Sequence, residues 1–342
     1  MNRPRISAAA AALAALLPLA AAAQENVLNL YSARHYQTDE ALYSDFTKAT
    51  GIRINRIEAG DEQLLERLKS EGANSPADVL LIVDASRLYN AQQLGLFQPV
   101  KSATLEARIP APMRDPNGEW FGFSMRARLI VYNKAQVKPG DIPTYESLAD
   151  PKLKGRICVR SGAHPYNLSL VASMIEHDGE AKTEAWAKNF VANFARQPKG
   201  GDSDQIKAVA AGECDVAIVN SYYYARVLRS TKPEDREIAA RTAVVYPNQA
   251  GAGTHINLSG AGVLRNAPHR ESAVKFLEYL ASDDAQRYFA DGNNEWPAVR
   301  SASGRNPALE AMGPFKPDPV AIAALGRNMA AAQKLVDRAG WR

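Results

Sequence analysis

The chain has 342 residues, of which 41 are lysine or arginine and 37 are aspartate or glutamate, a formal charge of +4. That length suits roughly two domains of about 150 residues each, or one ligand-binding protein with two lobes. With Arg3 and Arg5 set aside, 39 basic residues face 37 acidic ones, a balance that indicates neither a nucleic-acid nor a membrane-surface partner.

The first element is a leader. Arg3 and Arg5 precede an almost uninterrupted apolar run from Ala8 to Ala23 that is mostly alanine and contains Pro18. A membrane anchor needs about 20 apolar residues, so the run is expected to be a secretory signal peptide, residues 1–23, cleaved after Ala23. Charges interrupt every later apolar run, as in "ADVLLIVDASR".

From Val27 onward, strand-like and helical runs alternate, which predicts an α/β architecture with largely parallel sheets. "NVLNLYSA" reads as a strand, and "TDEALYSDFTKATG" as a helix with Thr38 as N-cap and Gly51 as its stop. "IRINRIEA" is the next strand. "DEQLLERLKSEG" is a helix with Leu64, Leu65 and Leu68 on one face. The continuously apolar "ADVLLIVD" fits a strand covered on both sides.

A second series starts near "FGFSMRARLIVYNK" and continues with the strand "GRICVRS". Helices are expected over "HPYNLSLVASMIEHDG", with Pro165 near its first turn, over "TEAWAKNFVANFAR" and over "DQIKAVAAGEC". The strand "DVAIVN" then runs into three consecutive tyrosines. "QAGAGTHINLSGAG" reads by composition as a loop or crossover. An amphipathic helix near 267–290 and a last one near 321–338 complete the chain.

Cys158 and Cys214 each adjoin an apolar run. An even count in an exported chain allows one disulfide; two buried free thiols are the alternative. A two-thiol metal site lacks a second pair or a nearby histidine to complete it.

The tyrosines carry the chemistry. Neighbouring side chains point to opposite faces of a strand, but at a helix start they diverge by about 100 degrees and two can converge on one point. "NSYYYARVL" thus sits at the carboxyl end of a strand, where open α/β sheets place their ligands. Aromatic packing is the usual fate of a tyrosine, yet three large neighbours cannot all face one core. "YSARHYQTDE" sets His35 and Tyr36 after the first strand, and "RSGAHPYNLS" sets Tyr166 beyond another. Tyr36 from one lobe, and Tyr166, Tyr222 and Tyr223 from the other, can meet in one cleft.

Phenol oxygens suit a hard cation. A phenol of pKa about 10 needs a strongly polarising ion to lose its proton at neutral pH. Ferric iron answers that description, whereas calcium and magnesium favour carboxylates and carbonyls. The remaining histidines His164, His177, His255 and His269 form no close pair, which argues against zinc.

The segments "LYSARHY", "PADVLLIVDA", "RSGAHPYNLSL" and "NSYYYARVL", in that order behind a signal peptide, resemble the ferric-ion-binding periplasmic proteins of ABC-type iron uptake (the Fbp/Fut type). The resemblance covers nearly the whole mature chain, and the paired tyrosine followed by "AR" is its most specific part. It implies a two-lobed, type II-like periplasmic-binding-protein fold with an interlobe hinge. The lobes expected are 24–122 plus 250–300, and 123–249 plus 301–342, each a mostly parallel sheet flanked by helices. It implies a monomer with ferric iron as transported ligand, delivered to an inner-membrane permease and its ATPase. Tyr36, Tyr166, Tyr222 and Tyr223 are the iron ligands implied. Tyr224 stands where relatives often carry an aliphatic residue and reads as packing. His35 ligates in some relatives and stands aside in others, so His35, water or a small anion completes the site. Some relatives use a carboxylate where this chain has Asp84; the shorter side chain favours a tyrosine-dominated site.

Four phenolates around a trivalent ion leave one negative charge, costly to bury alone. Arg226, one turn after Tyr222, Arg126 in "SMRARL", and Arg34 are the expected partners. The alternative function is the same fold binding an anion, a polyamine or thiamine, with the tyrosines as a stacking wall. A secreted hydrolase is the third class, but no G-x-S-x-G or H-E-x-x-H motif supports an enzyme.

Overall fold

The computed structural model describes residues 26–34, 38–299, 306–320 and 322–342. The expected signal peptide, His35 and Tyr36 lie outside the described residues.

The first series alternates as its periodicity predicts: β1 (Val27–Ser32), α1 (Asp39–Thr50), β2 (Arg53–Glu58), α2 (Asp61–Glu71) and β3 (Val79–Ile82). α1 stops at Gly51, which takes the left-handed conformation at φ 72° and sends its N–H back to Thr47 O. Thr38 stands at the N-cap position, but its hydroxyl donates to Asn293 Oδ1 instead of holding a helix amide. α2 buries Leu64, Leu65 and Leu68, and β3 is buried at every position. α3 (Ala85–Gln93) and α4 (Ala103–Arg108) follow.

The second series is β4 (Phe121–Asn133), β5 (Ile157–Cys158), α5 (Pro165–Asp178), α6 (Glu180–Ala192), α7 (Asp202–Ala211), β6 (Val216–Asn220), α8 (Ser221–Arg229), α9 (Pro233–Arg241) and β7 (Thr242–Val245). The chain returns through β8 (Ile256–Val263), α10 (Arg270–Leu280), α11 (Asp283–Arg287), β9 (Trp296–Pro297), α12 (Pro307–Ala311) and α13 (Ile322–Ala339). The single helix expected over 267–290 is broken: Ser282 caps a new helix by accepting the Ala285 amide.

Among the described residues the strands form one sheet in the order β2-β1-β3-β8-β4-β6-β5, with β7 and β9 beside β4. β1 pairs parallel with β2 and β3, and β5 with β6. The sheet is mixed where largely parallel pairing was expected, because β4 and β8 cross between the two series and run against their neighbours. β8 lies inside the stretch that composition suggested was a loop or crossover. Its glycines let backbones approach: a Cβ at Gly260 would press on Leu88 and on the Phe121 carbonyl.

The buried apolar side chains gather on either side of that crossing. One core joins Leu28, Leu30, Phe46, Leu80, Phe123, Val263 and Phe276. Beyond the middle of β4, Ile130, Leu170, Phe190, Ile218 and Trp341 form a second, and Leu129, Val209, Val219 and Tyr224 a third. α13 touches two of them, with Ile322 and Leu325 in the first core and Leu335 and Val336 in the second. Cys158, within β5, and Cys214, just before β6, form a disulfide with Cα atoms 5.8 Å apart, β5 and β6 being the strands that lead to the tyrosines. No helix among the described residues is long and apolar enough to cross a membrane.

Candidate metal centre

Two helix starts present the phenols. At α5, Pro165 occupies the first turn and His164 is the cap, its Nδ1 accepting the Tyr166 amide at 3.3 Å. Burial and the neighbouring Arg160 and Arg128 push the imidazole down to about 3, so it stays a neutral acceptor at pH 7. At α8, β6 ends in Asn220 and the chain turns at once into Ser221-Tyr222-Tyr223. The Ser221 hydroxyl accepts the Ala127 amide of β4 and pins the turn.

The Tyr166 and Tyr222 oxygens lie 3.0 Å apart, and the Tyr222 and Tyr223 rings approach to 4.3 Å. Tyr222 is only 2% exposed, while half-buried Tyr223 lines a cavity of about 640 Å³ with Thr38, Arg226 and Asp291. Tyr166 lines another of about 420 Å³ with Arg34, Asp84 and His164. Tyr224 turns away, buried with its hydroxyl on Thr242 O at 2.9 Å, the packing role read for it from the sequence.

Guanidinium groups surround these rings. Arg226 stands 5.2 Å from the Tyr222 centroid and 5.4 Å from that of Tyr223. Arg126, Arg128 and Arg160 stand 5.7, 5.9 and 5.2 Å from that of Tyr166. Burial raises the Tyr166 phenol above its usual range, and the Arg126 charge opposes that rise. Arg126 is 2% exposed; its Nη1 donates to Ser259 Oγ at 3.2 Å and faces Glu295 at 4.0 Å. Its Nε and Nη2 have no hydrogen-bond partner among the described residues. Arg34 is also buried, with Nε on Asp39 at 2.9 Å and Nη1 3.6 Å from Glu295.

Asp84 is engaged otherwise. It caps α3, with Oδ1 accepting the Ser86 amide and hydroxyl and Oδ2 accepting Asn257 Nδ2 at 2.7 Å. Nearby Asp61 is pushed up to about 6 by burial and by the Asp84 charge. Among the described residues no three of His, Cys, Asp and Glu gather to hold a metal. The donors on offer are phenols.

Sequence reading missed Arg128, Arg160 and Asp202. Arg128 had a signal, since it lies two residues beyond Arg126 on a strand and shares its face. Asp202 had none; it meets Arg128 only through the fold, at 2.6 Å.

A family model described as bacterial extracellular solute-binding protein matches residues 74–317. The chain is 51% identical to iron uptake protein A1 of Synechocystis over 93% of its length and 88% of that protein's. It is 30% identical to the Fe(3+)-binding periplasmic protein of Serratia marcescens over 85% of its length and 83% of the relative's. Among solved structures it resembles Trichodesmium FutA in complex with iron and citrate, with TM-score 0.88 and 53% identity, covering 92% of this chain and all of that one. The ferric binding protein from Campylobacter jejuni follows at TM-score 0.86 and 39% identity, with the same coverage of both chains.

Proposed function

Because the chain belongs to the bacterial extracellular solute-binding proteins, we propose that it captures ferric iron in a cleft between two lobes and hands it to an inner-membrane permease driven by an ATPase. It acts as a monomer in the periplasm after cleavage behind Ala23. It is a binding protein, not an enzyme. The lobes proposed are 24–122 plus 250–300, and 123–249 plus 301–342. In support, core residues divide near the middle of β4, although the first turn of α13 packs with the first core.

The observation that carries the reading is a pair of phenol oxygens 3.0 Å apart whose rings carry guanidinium groups close by, three near Tyr166 and one near Tyr222. At that distance one phenol donates a hydrogen bond to the other, and a trivalent cation that binds both oxygens releases both phenol protons to solvent. The surrounding positive charge offsets the excess negative charge of a phenolate site. Tyr36, Tyr166, Tyr222 and Tyr223 are the proposed ligands. Arg34 and Thr38, which flank His35 and Tyr36 in the chain, line the two cavities at the phenols. Arg226, Arg126 and Arg34 balance charge, and the unpartnered N–H groups of Arg126 suit a small anion that completes coordination, as do His35 or water. A relative was solved with iron and citrate, which supports a carboxylate as that anion.

Binding shifts the lobes toward closure because only the closed form brings all donors to the ion. Reduction to ferrous iron or protonation of the phenols weakens the bonds and lets the ion go. The test is a visible spectrum of the iron-loaded protein before and after a reductant: a phenolate-to-iron charge-transfer band that bleaches on reduction is expected. A colourless loaded protein turns the reading to another solute. Tyr223→Phe keeps ring packing and removes the oxygen, so iron affinity falls by more than the about 10- to 100-fold that loss of an outer partner costs; unchanged affinity removes Tyr223 from the site.

A further inference from the structure

The two phenol-bearing helices are tied together by a buried ion pair, and we propose that Asp202, with Arg128, is the positioning group that sets the spacing of the Tyr166 and Tyr222 oxygens. The inference rests on the reading that these oxygens hold iron.

Asp202 opens α7 and has no solvent exposure. Its Oδ2 accepts Arg128 Nη1 at 2.6 Å and the Asn220 amide at 2.7 Å, and its Oδ1 accepts Arg160 Nη1 at 3.0 Å. Arg128 extends the contact both ways. Nη1 reaches Asn220 Oδ1 at 3.1 Å, two residues before Tyr222, and Nη2 reaches Asn167 Oδ1 at 2.6 Å, one residue after Tyr166. Asn167 Nδ2 in turn donates to Ser161 O at 2.9 Å, ahead of the same helix. One guanidinium therefore holds both helix starts, and one carboxylate fixes that guanidinium. Neither Asp202 nor Arg128 bonds to a phenol oxygen; beyond the charge that Arg128 brings over the Tyr166 ring, the part proposed for the pair is geometric.

The charges fit the role. Burial works against the Asp202 carboxylate, but Arg128 and Arg160 hold it below the usual carboxylate range, as does its place at a helix start. A buried ion pair adds little to stability beyond what an apolar pair would give. Its geometric yield is large, because donors misplaced by about 1 Å lose much of a site's power.

The experiment titrates ferric iron, supplied as its nitrilotriacetate chelate, into the full chain and follows the charge-transfer band. It compares the unmodified protein, Asp202→Asn and Asn167→Ala, each with and without Tyr166→Phe. Asp202→Asn is expected to displace the band and lower iron affinity by about 10- to 100-fold. Most of that loss disappears once Tyr166 is phenylalanine, since coupled residues do not add. An unmoved band, or an equal loss in both backgrounds, overturns the positioning role. If Asp202→Asn does not fold because it strands a buried arginine, Asn167→Ala keeps the ion pair, cuts the arm from Arg128 to the Tyr166 helix together with the Asn167 bonds to Ser161 O and Arg160 O, and is read by the same outcomes. An unmodified chain without the band overturns the iron reading and this inference with it; a band that the variants leave unchanged overturns the inference alone.

Discussion

Asp84 and Tyr166 line the same cavity, Asp84 between Ile82 and Ala85 of the first core and Tyr166 two residues before Leu168 of the second, and the chain treats their oxygens differently. Those of Asp84 are engaged by Ser86 and Asn257 in capping a helix. The Tyr166 oxygen meets the Tyr222 oxygen. An oxygen already holding a helix start is poorly placed to leave it for an ion, whereas two phenols bonded to each other would give up their protons to share a cation. On the proposed reading, the difference separates the wall that builds the cleft from the wall that grips.

The gripping wall is also the cross-linked one. The disulfide closes a loop with a sequence separation of 56, and such a closure contributes about 4 kcal/mol on a chain-entropy account. Replacing Cys158 and Cys214 by serine is expected to lower stability by about that much in denaturant titrations and to weaken iron binding with it. Binding that survives intact would mean the wall is rigid without its bridge. Arg226→Ala comes next. Removing a cation above two phenols disfavours their charged form, so affinity drops by about 10- to 100-fold and half-loading moves to higher pH; an identical pH profile makes Arg226 a surface residue. Asp84→Ala is the smallest. Loss of a cap costs about 1 kcal/mol while iron affinity stays level, and a marked fall in affinity would dissolve the contrast between the walls.

Much of the gripping wall is legible in the sequence because it is local. A strand of buried residues followed by Tyr222 and Tyr223 gives a helix start, and His164-Pro165-Tyr166 gives another. The alternation up to β3 is equally local. β8 is not legible, since Gly260 and Gly262 look like loop residues until Leu88 and Phe97 lie against them. The mixed pairing is hidden for the same reason: where β4 and β8 run is decided by which cores they join. Asp202 is the clearest case of information that exists only in three dimensions, being 74 residues from Arg128.

α13 has 18 residues, about 27 Å of helix, with one end seated in each of two cores. Pulling Ile322 and Leu325 out of their seat would forfeit about 1.5–3 kcal/mol apiece, comparable with what a modest ligand repays. On the proposed two-lobe reading, motion that leaves both ends seated costs less than motion that pulls one out, so α13 would favour rolling of the halves about its axis over separation along it.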